Sequence, residues 1–436
     1  MDIHHSVVRG VKNWIWLPFF HTGERSSSPG HYSPPPEALR RVRELLARIL
    51  NENIIAFWYP GIVDLEDGGY RPPQSFQENG HTRSGKSLVA QARTVWFFSR
   101  LAKSAYRADG YLEAAKHGYE FLRDGLWDKD FGGFFWEVDS TGRTPTKPDK
   151  HLYGQAFGLY ALTEYADASG DTSARALAQT LFDLLEAHTH DSLFGGYRES
   201  FSRDWSTIPS ECQGYLGAPG NMKLMNTHLH LLEAMTRYYL TIPSTLAKQR
   251  LIELLFVSSN SVVRKDLGAC TDRYLQGWEP LRGAKYDRVS YGHDVESIWL
   301  MAEACKTVGL SNHLLLDLYR TLFANALRYG FDRRRGGFYE SGPVNAPADQ
   351  RDKLYWVQAE ALVGALQMYR FSAEKPYWSC FSRTLEWVHR YQADWQRGNW
   401  HVRVAADGTP RRTKPYAWGS PYHQGRAMLT CLEWLA

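Results

Sequence analysis

The chain has 436 residues, with 51 lysines and arginines against 47 aspartates and glutamates, a formal charge of +4. At 43% hydrophobic and 22% charged it can bury a large core, which excludes an intrinsically disordered chain. So small a basic surplus makes no stripe for nucleic acid, and five scattered cysteines without a CxxC pair argue for a reducing compartment.

The first 40 residues read as an irregular arm, marked by Ser26-Ser27-Ser28-Pro29 and Pro34-Pro35-Pro36. Its apolar stretch Trp14–Phe20 is too short to span a bilayer, and no small-residue cleavage site follows it. A cytoplasmic protein without membrane contact is therefore expected. Beyond the arm a turn signature recurs: Gly68-Gly69-Tyr70, Gly132-Gly133-Phe134, Gly195-Gly196-Tyr197 and Gly336-Gly337-Phe338. The intervals are 64, 63 and 141 residues, the last about two periods. Phe134–Val138 followed by Asp139-Ser140-Thr141-Gly142 has the alternation and turn chemistry of a short β-hairpin.

Between the turns, apolar residues at three- and four-residue intervals predict helices over Ser87–Ala105, Tyr111–Arg123, Leu152–Ala168, Ala174–His188, Asn226–Tyr239, Ser297–Thr307, Leu314–Tyr329 and Gln358–Phe371. Two helices and one hairpin per ~65–70 residues fit about six units. The expected fold is all-α, an (α/α)6 barrel with short β-hairpin loops, forming one catalytic domain over residues 41–436. A closed ring is favoured over an open solenoid because polar-aromatic motifs sit at similar places in several repeats, as if converging on one axis.

Taken in order, the first of these motifs is Gln91-Ala92-Arg93-Thr94-Val95-Trp96, where Arg93 interrupts an apolar helix and needs an oxygen-rich partner. In Asn226–Glu233, the residues Asn226, His230 and Glu233 share one helical stripe and His228 points away. That stripe points to a wet cavity rather than the apolar core, with a buried hydrogen-bonded network as the alternative. In Tyr291–Glu296, His293 and Glu296 share a face at the start of a helix, as a base with its orienting group or as a metal pair. The metal reading is disfavoured, since no third clustered ligand or HExxH motif accompanies the pair. Trp356 and Glu360 lie one turn apart, and Lys414–Arg426 forms a Pro- and Gly-bearing loop that places His423 near the start of the last helix. The abundance of aromatics, with 16 Trp and 25 Tyr, serves core packing first, and also suits stacking on sugar rings.

With these motifs assembled, the chain resembles the N-acylglucosamine 2-epimerase superfamily, most closely its cellobiose 2-epimerases. The resemblance runs from about Arg41 to the C-terminus on Ala92–Ser99, His151–Phe157, Asn226–Glu233, Tyr291–Glu296, Trp356–Glu360 and Pro421–Arg426. It implies an (α/α)6 barrel and a reducing sugar that is ring-opened, deprotonated at C2 and reprotonated on the opposite face through an enediolate. By motif position His293 and His423 would be the two bases, and His230 would assist ring opening. Glu233, Glu296 and Glu360 would orient imidazoles or hydroxyls, Arg93 would stabilise the enediolate oxygen, and Tyr153, Asn226, Trp356 and Trp418 would contact the sugar. No metal or cofactor is implied, the partner is a mono- or disaccharide, and a monomer or weak homodimer is expected. Tyr355 in place of a second Trp, a changed loop at Ala417–Ser420 and the long arm depart from the family pattern, all at the cleft rim. A mannose–fructose isomerase is the alternative within the family, and a glycoside hydrolase or lyase using paired carboxylates the rival outside it.

Overall fold

A computed structural model describes residues 31–72, 84–412 and 418–436. Residues 1–30 of the expected arm, and Lys414 to Ala417 of the last motif, lie outside the described residues. Where the arm's end is described, helix α1 already begins at Pro36, whose fixed φ suits a first helical position.

Among the described residues, twelve helices run eleven residues or longer: α1 (Pro36–Arg48), α2 (Leu88–Ala102), α3 (Tyr111–Phe121), α4 (Leu152–Ser169), α5 (Thr172–His188), α6 (Met225–Thr241), α7 (Thr245–Phe256), α8 (Tyr291–Val308), α9 (Leu316–Tyr329), α10 (Tyr355–Ser372), α11 (Lys375–Trp387) and α12 (Tyr422–Trp434). The even-numbered helices pack in sequence, α2 on α4 and so on to α12, and α12 returns to α2. The odd-numbered helices lie outside them, and α1 covers α12, so the two ends of the chain close the ring. This is the (α/α)6 barrel that the repeat count requires.

Sequence composition sorts the two layers. Inner α4 is buried without interruption from Leu152 to Ala166, because neighbours surround its whole circumference. Outer α1 buries only Leu46 and turns Arg40, Arg41, Glu37 and Glu44 to solvent. The helix expected from Ser297 starts six residues earlier at Tyr291, and the one expected from Gln358 starts at Tyr355. Both corrections move site residues from a loop into the first helical turn. Four helices are additional to the eight expected from periodicity: α1, α7, α11 and the last helix, α12, which was expected only from the loop that enters it.

Five inner helices, α2, α4, α6, α8 and α10, are entered from a short strand, and a repeated clamp fixes the turn beside four of them. In unit two, Asp128 accepts from the backbone of Asp130 and Phe131 and pairs with buried Lys150 at 2.8 Å. Five residues on, Gln155 exchanges two hydrogen bonds with the backbone of Phe134, at 2.9 and 2.7 Å. Asp64, Lys86 and Gln91 repeat this arrangement, as do Asp191, Lys223 and His228, and Asp332, Lys353 and Gln358. In the α8 unit Asp294 takes the corresponding place and accepts from Cys270 N at 2.9 Å. The paired glycines are forced: Gly133 has φ +69°, and a Cβ there would lie 2.4 Å from Trp205.

On the outer layer, Asp171 caps α5 by accepting from Ser173 N and Ala174 N at 2.7 and 3.2 Å. Asp171→Ala is expected to cost about 1 kcal/mol, read as a lower urea midpoint with unchanged slope.

Candidate active site

The site residues stand in two layers at the N-terminal ends of the inner helices. Tyr153, Asn226, His293, Trp356 and His423 occupy the second or third position of α4, α6, α8, α10 and α12. One turn deeper come Arg93 on α2, His230 on α6, Glu296 on α8, Glu360 on α10 and Arg426 on α12. The positive ends of the inner-helix dipoles therefore converge on the upper layer, where they favour negative charge.

Two imidazoles pack against one indole. Trp356 lies with its ring 4.7 Å from that of His293 and 5.9 Å from that of His423. His423 is buried and its Nδ1 is 2.7 Å from Glu360 Oε1. With Nδ1 donating to that carboxylate, Nε2 is left as the free basic atom. His230 repeats the arrangement, with Nδ1 3.1 Å from Glu233 Oε2 and its ring 6.5 Å from that of His423.

Beneath the histidines a single guanidinium gathers three carboxylates. Arg426 donates to Glu233 Oε1, to Glu296 Oε1 at 2.9 Å and to Glu360 Oε1 at 2.7 Å. Tyr422 donates to Glu233 Oε2 at 2.5 Å, and Trp299 Nε1 donates to Glu360 Oε2 at 3.1 Å. Burial pushes the Glu233 carboxyl up, but Arg426, His230 and Tyr422 outweigh it and hold it at about 2. Burial and mutual repulsion drive Glu296 well above the usual range, and burial raises Glu360 too, so this pair retains a proton. Desolvation lowers His293 and His230 to about 4 and pushes His423 well below the usual imidazole range, where Arg93 and Arg426 add to the effect.

Arg93 finds the oxygen-rich partner expected of it in the Tyr153 hydroxyl, at 2.9 Å, and its guanidinium lies 4.2 Å over the Phe157 ring. Tyr153 also stacks on Trp418 at 5.6 Å, and Trp418 meets Trp136 edge-on at 5.9 Å. Trp136 in turn stacks on Tyr215 at 4.9 Å, giving an aromatic rim that sugar faces can use. Asn226 is held through its backbone, its N–H reaching Asp272 at 3.2 Å, and its buried Oδ1 has no protein donor among the described residues.

All eleven expected residues thus lie at one end of the ring. Glu296, taken from sequence as the partner of His293, instead binds Arg426, while His230 and Glu233 on the expected stripe are buried and hydrogen-bonded to each other. Arg426, Tyr422 and Trp299 were not singled out. The signal was available, since Arg426 follows Tyr422 and His423 by one turn in an apolar helix, as Arg93 does in its own.

Glu296, Glu360 and His423 offer three ligand atoms within 4.8 Å of one another. Arg426 already sits on both carboxylates, so a divalent ion there would meet a fixed cation at contact range. Exhaustive chelation is expected to leave turnover unchanged; activity lost to chelator and restored by a divalent ion would contradict this.

A family description, N-acylglucosamine 2-epimerase, matches residues 68–427. The chain is 33% identical to a cellobiose 2-epimerase of Ruminococcus albus, covering 88% of this chain and 96% of the other. It is 30% identical to a cellobiose 2-epimerase of Bacteroides fragilis, covering 90% and 98%. The solved cellobiose 2-epimerase of Bacillus thermoamylovorans B4167 superposes with a TM-score of 0.81 at 29% identity, covering 90% of this chain and 99% of that one. Among the described residues no helix is long and apolar enough to cross a membrane. With the barrel, the histidine–carboxylate pairs and these relatives in agreement, the chain belongs to the N-acylglucosamine 2-epimerase family.

Proposed function

We propose that this protein, as one catalytic unit over residues 41–436, epimerises the reducing-end aldose of a glucose–mannose or cellobiose-type sugar at C2. The observation that carries the reading is the pair of imidazoles, His293 and His423, packed against Trp356. Two bases that are neutral near pH 7 are what proton removal on one face and return on the other require. Sugar enters against the rim of Tyr153, Trp418 and Trp356, with Asn226 Oδ1 accepting a hydroxyl. His230 opens the ring while Glu233 holds its tautomer. One histidine then takes the C2 proton, Arg93 and the inner-helix N-termini stabilise the enediolate oxygen, and the other histidine returns a proton.

The Glu360–His423 pair can act in both senses. With one proton on Nδ1 it is a base at Nε2. With a second proton it is loaded, carrying Nε2–H on the ring and a neutral Glu360 carboxyl. Burial raises both Glu360 and Glu296, which favours that loaded form.

A hydrolase would need two carboxylates facing a glycosidic bond. Here Glu233, Glu296 and Glu360 face a guanidinium and the histidines. Turnover of mannose, glucose and cellobiose in deuterated water tests the proposal. An epimerase gives an aldose labelled at C2; a ketose labelled at C1 would reveal an isomerase sharing the same enediolate. Product without deuterium at either carbon would refute both.

A further inference from the structure

The Glu233–Arg426 pair is reached from a second direction. At the far end of the barrel, where the inner helices finish, a chamber of about 200 Å³ is lined by Trp96, Tyr160, Glu233, Trp299 and Arg426. Leu240, 56% exposed, stands at its rim beside the Arg100–Glu433 ion pair, whose contact is 2.5 Å. Glu233 thus forms a wall between two spaces, with His230 and the sugar on one side and the chamber on the other.

The lining is not chemically complete. Trp96 is 4% exposed and Arg426 2% exposed, yet Trp96 Nε1 and Arg426 Nε have no protein acceptor among the described residues. A buried donor left unsatisfied costs about 1–3 kcal/mol, and more beside a permanent charge. A water occupies roughly 30 Å³ and needs two to four polar partners. The chamber has both the volume and the partners.

We infer that this chamber is a water-binding site and the rear solvent port of the catalytic network, keeping Glu233 and Arg426 hydrated and in proton exchange with bulk while sugar closes the front. This rests on the roles proposed above for His230 and Glu233. Glu233 passes protons without storing them: as His230 Nε2 takes a proton from the sugar hydroxyl, Nδ1 gives its own to Glu233 and Glu233 gives one to chamber water and so to bulk, so the pair's net charge does not change. Access of this kind matters only during the time a bound substrate shields His230 from the mouth.

A crystal structure of the unliganded protein tests the first half. Ordered waters bonded to Trp96 Nε1 and Arg426 Nε are expected, and a dry chamber would overturn the inference. Leu240→Trp at the exposed rim and Thr236→Trp on the wall test the second half by filling the chamber. Both are expected to lower kcat several-fold on a cyclic sugar with KM unchanged and the fold intact. Wild-type kcat in a variant whose structure shows the chamber filled would overturn the proton-exchange role. Should Glu233→Gln retain full activity while the waters are present, the water site stands and the catalytic reading of Glu233 falls instead.

Discussion

Replacing His293 or His423 with alanine is expected to lower kcat by about 10²–10⁴-fold while the barrel stays folded, the range contributed by general acid–base groups. The two variants should differ in kind. His423→Ala removes one of the three partners of Glu360 described above, whereas His293 touches Trp356 and its loss leaves the carboxylate network intact. The direction of proton transfer separates them further. If each histidine serves one face of C2, one variant should still exchange the C2 hydrogen of the glucose epimer with solvent, and the other that of the mannose epimer. Wild-type rates in both variants, on a sugar that the parent converts, would end the two-base mechanism.

The pH dependence carries the same signature. An unperturbed imidazole would lose half its basic form at about pH 6.5, but burial holds His293 and His230 at about 4. The acidic limb of kcat is therefore expected near pH 4, with a plateau above it. The sign for stability follows from linkage. Between about pH 6.5 and 4 the unfolded chain binds protons that the folded one refuses, so stability falls as pH drops through that window.

Much of this architecture is legible in the chain itself. The turn pairs such as Gly132-Gly133 give the repeat, and the amphipathic spacing of α2 to α6 gives its helices, because a barrel repeat satisfies the same steric need in every unit. The partners of those turns are harder to read. Asp128 and Lys150 are 22 residues apart in unit two, but Asp191 and Lys223 are 32 apart, since the intervening hairpin varies in length. Only the five-residue step from Lys150 to Gln155, repeated from Lys86 to Gln91, from Lys223 to His228 and from Lys353 to Gln358, is constant. The site shows the same division. His230 with Glu233 is a local pair on one helix and can be found from spacing. Glu360 with His423, 63 residues apart, exists only because the ring closes. For the same reason Arg426 was invisible as a hub. Its carboxylates come from α6, α8 and α10, and no spacing within α12 predicts three of them.

Arg426→Met is expected to be the most destabilising substitution in the site, at about 3–5 kcal/mol, because it strands buried carboxylates that have no other Arg or Lys contact among the described residues. The guanidinium reaches Glu233 on one nitrogen and Glu296 and Glu360 on the other, and its face lies 4.7 Å over Trp299. Arg426→Lys keeps the charge but loses the fork, so it should recover part of the stability and little of the activity. A lysine can neutralise the cluster without holding Glu233 and Glu360 apart at the spacing that aligns His230 and His423. The pH dependence distinguishes lost charge compensation from lost packing. In wild type Glu233 is held at about 2 and stays ionised throughout the working range. Without Arg426 its carboxyl must rise, and as pH falls the stranded groups take up protons and cease to be charges. The stability gap between wild type and Arg426→Met should therefore narrow as urea denaturation is repeated from pH 7 down to pH 4.5. A gap that holds constant across that range would mean the loss is one of packing against Trp299 and Tyr422, and that the three carboxylates are already neutral in the native protein.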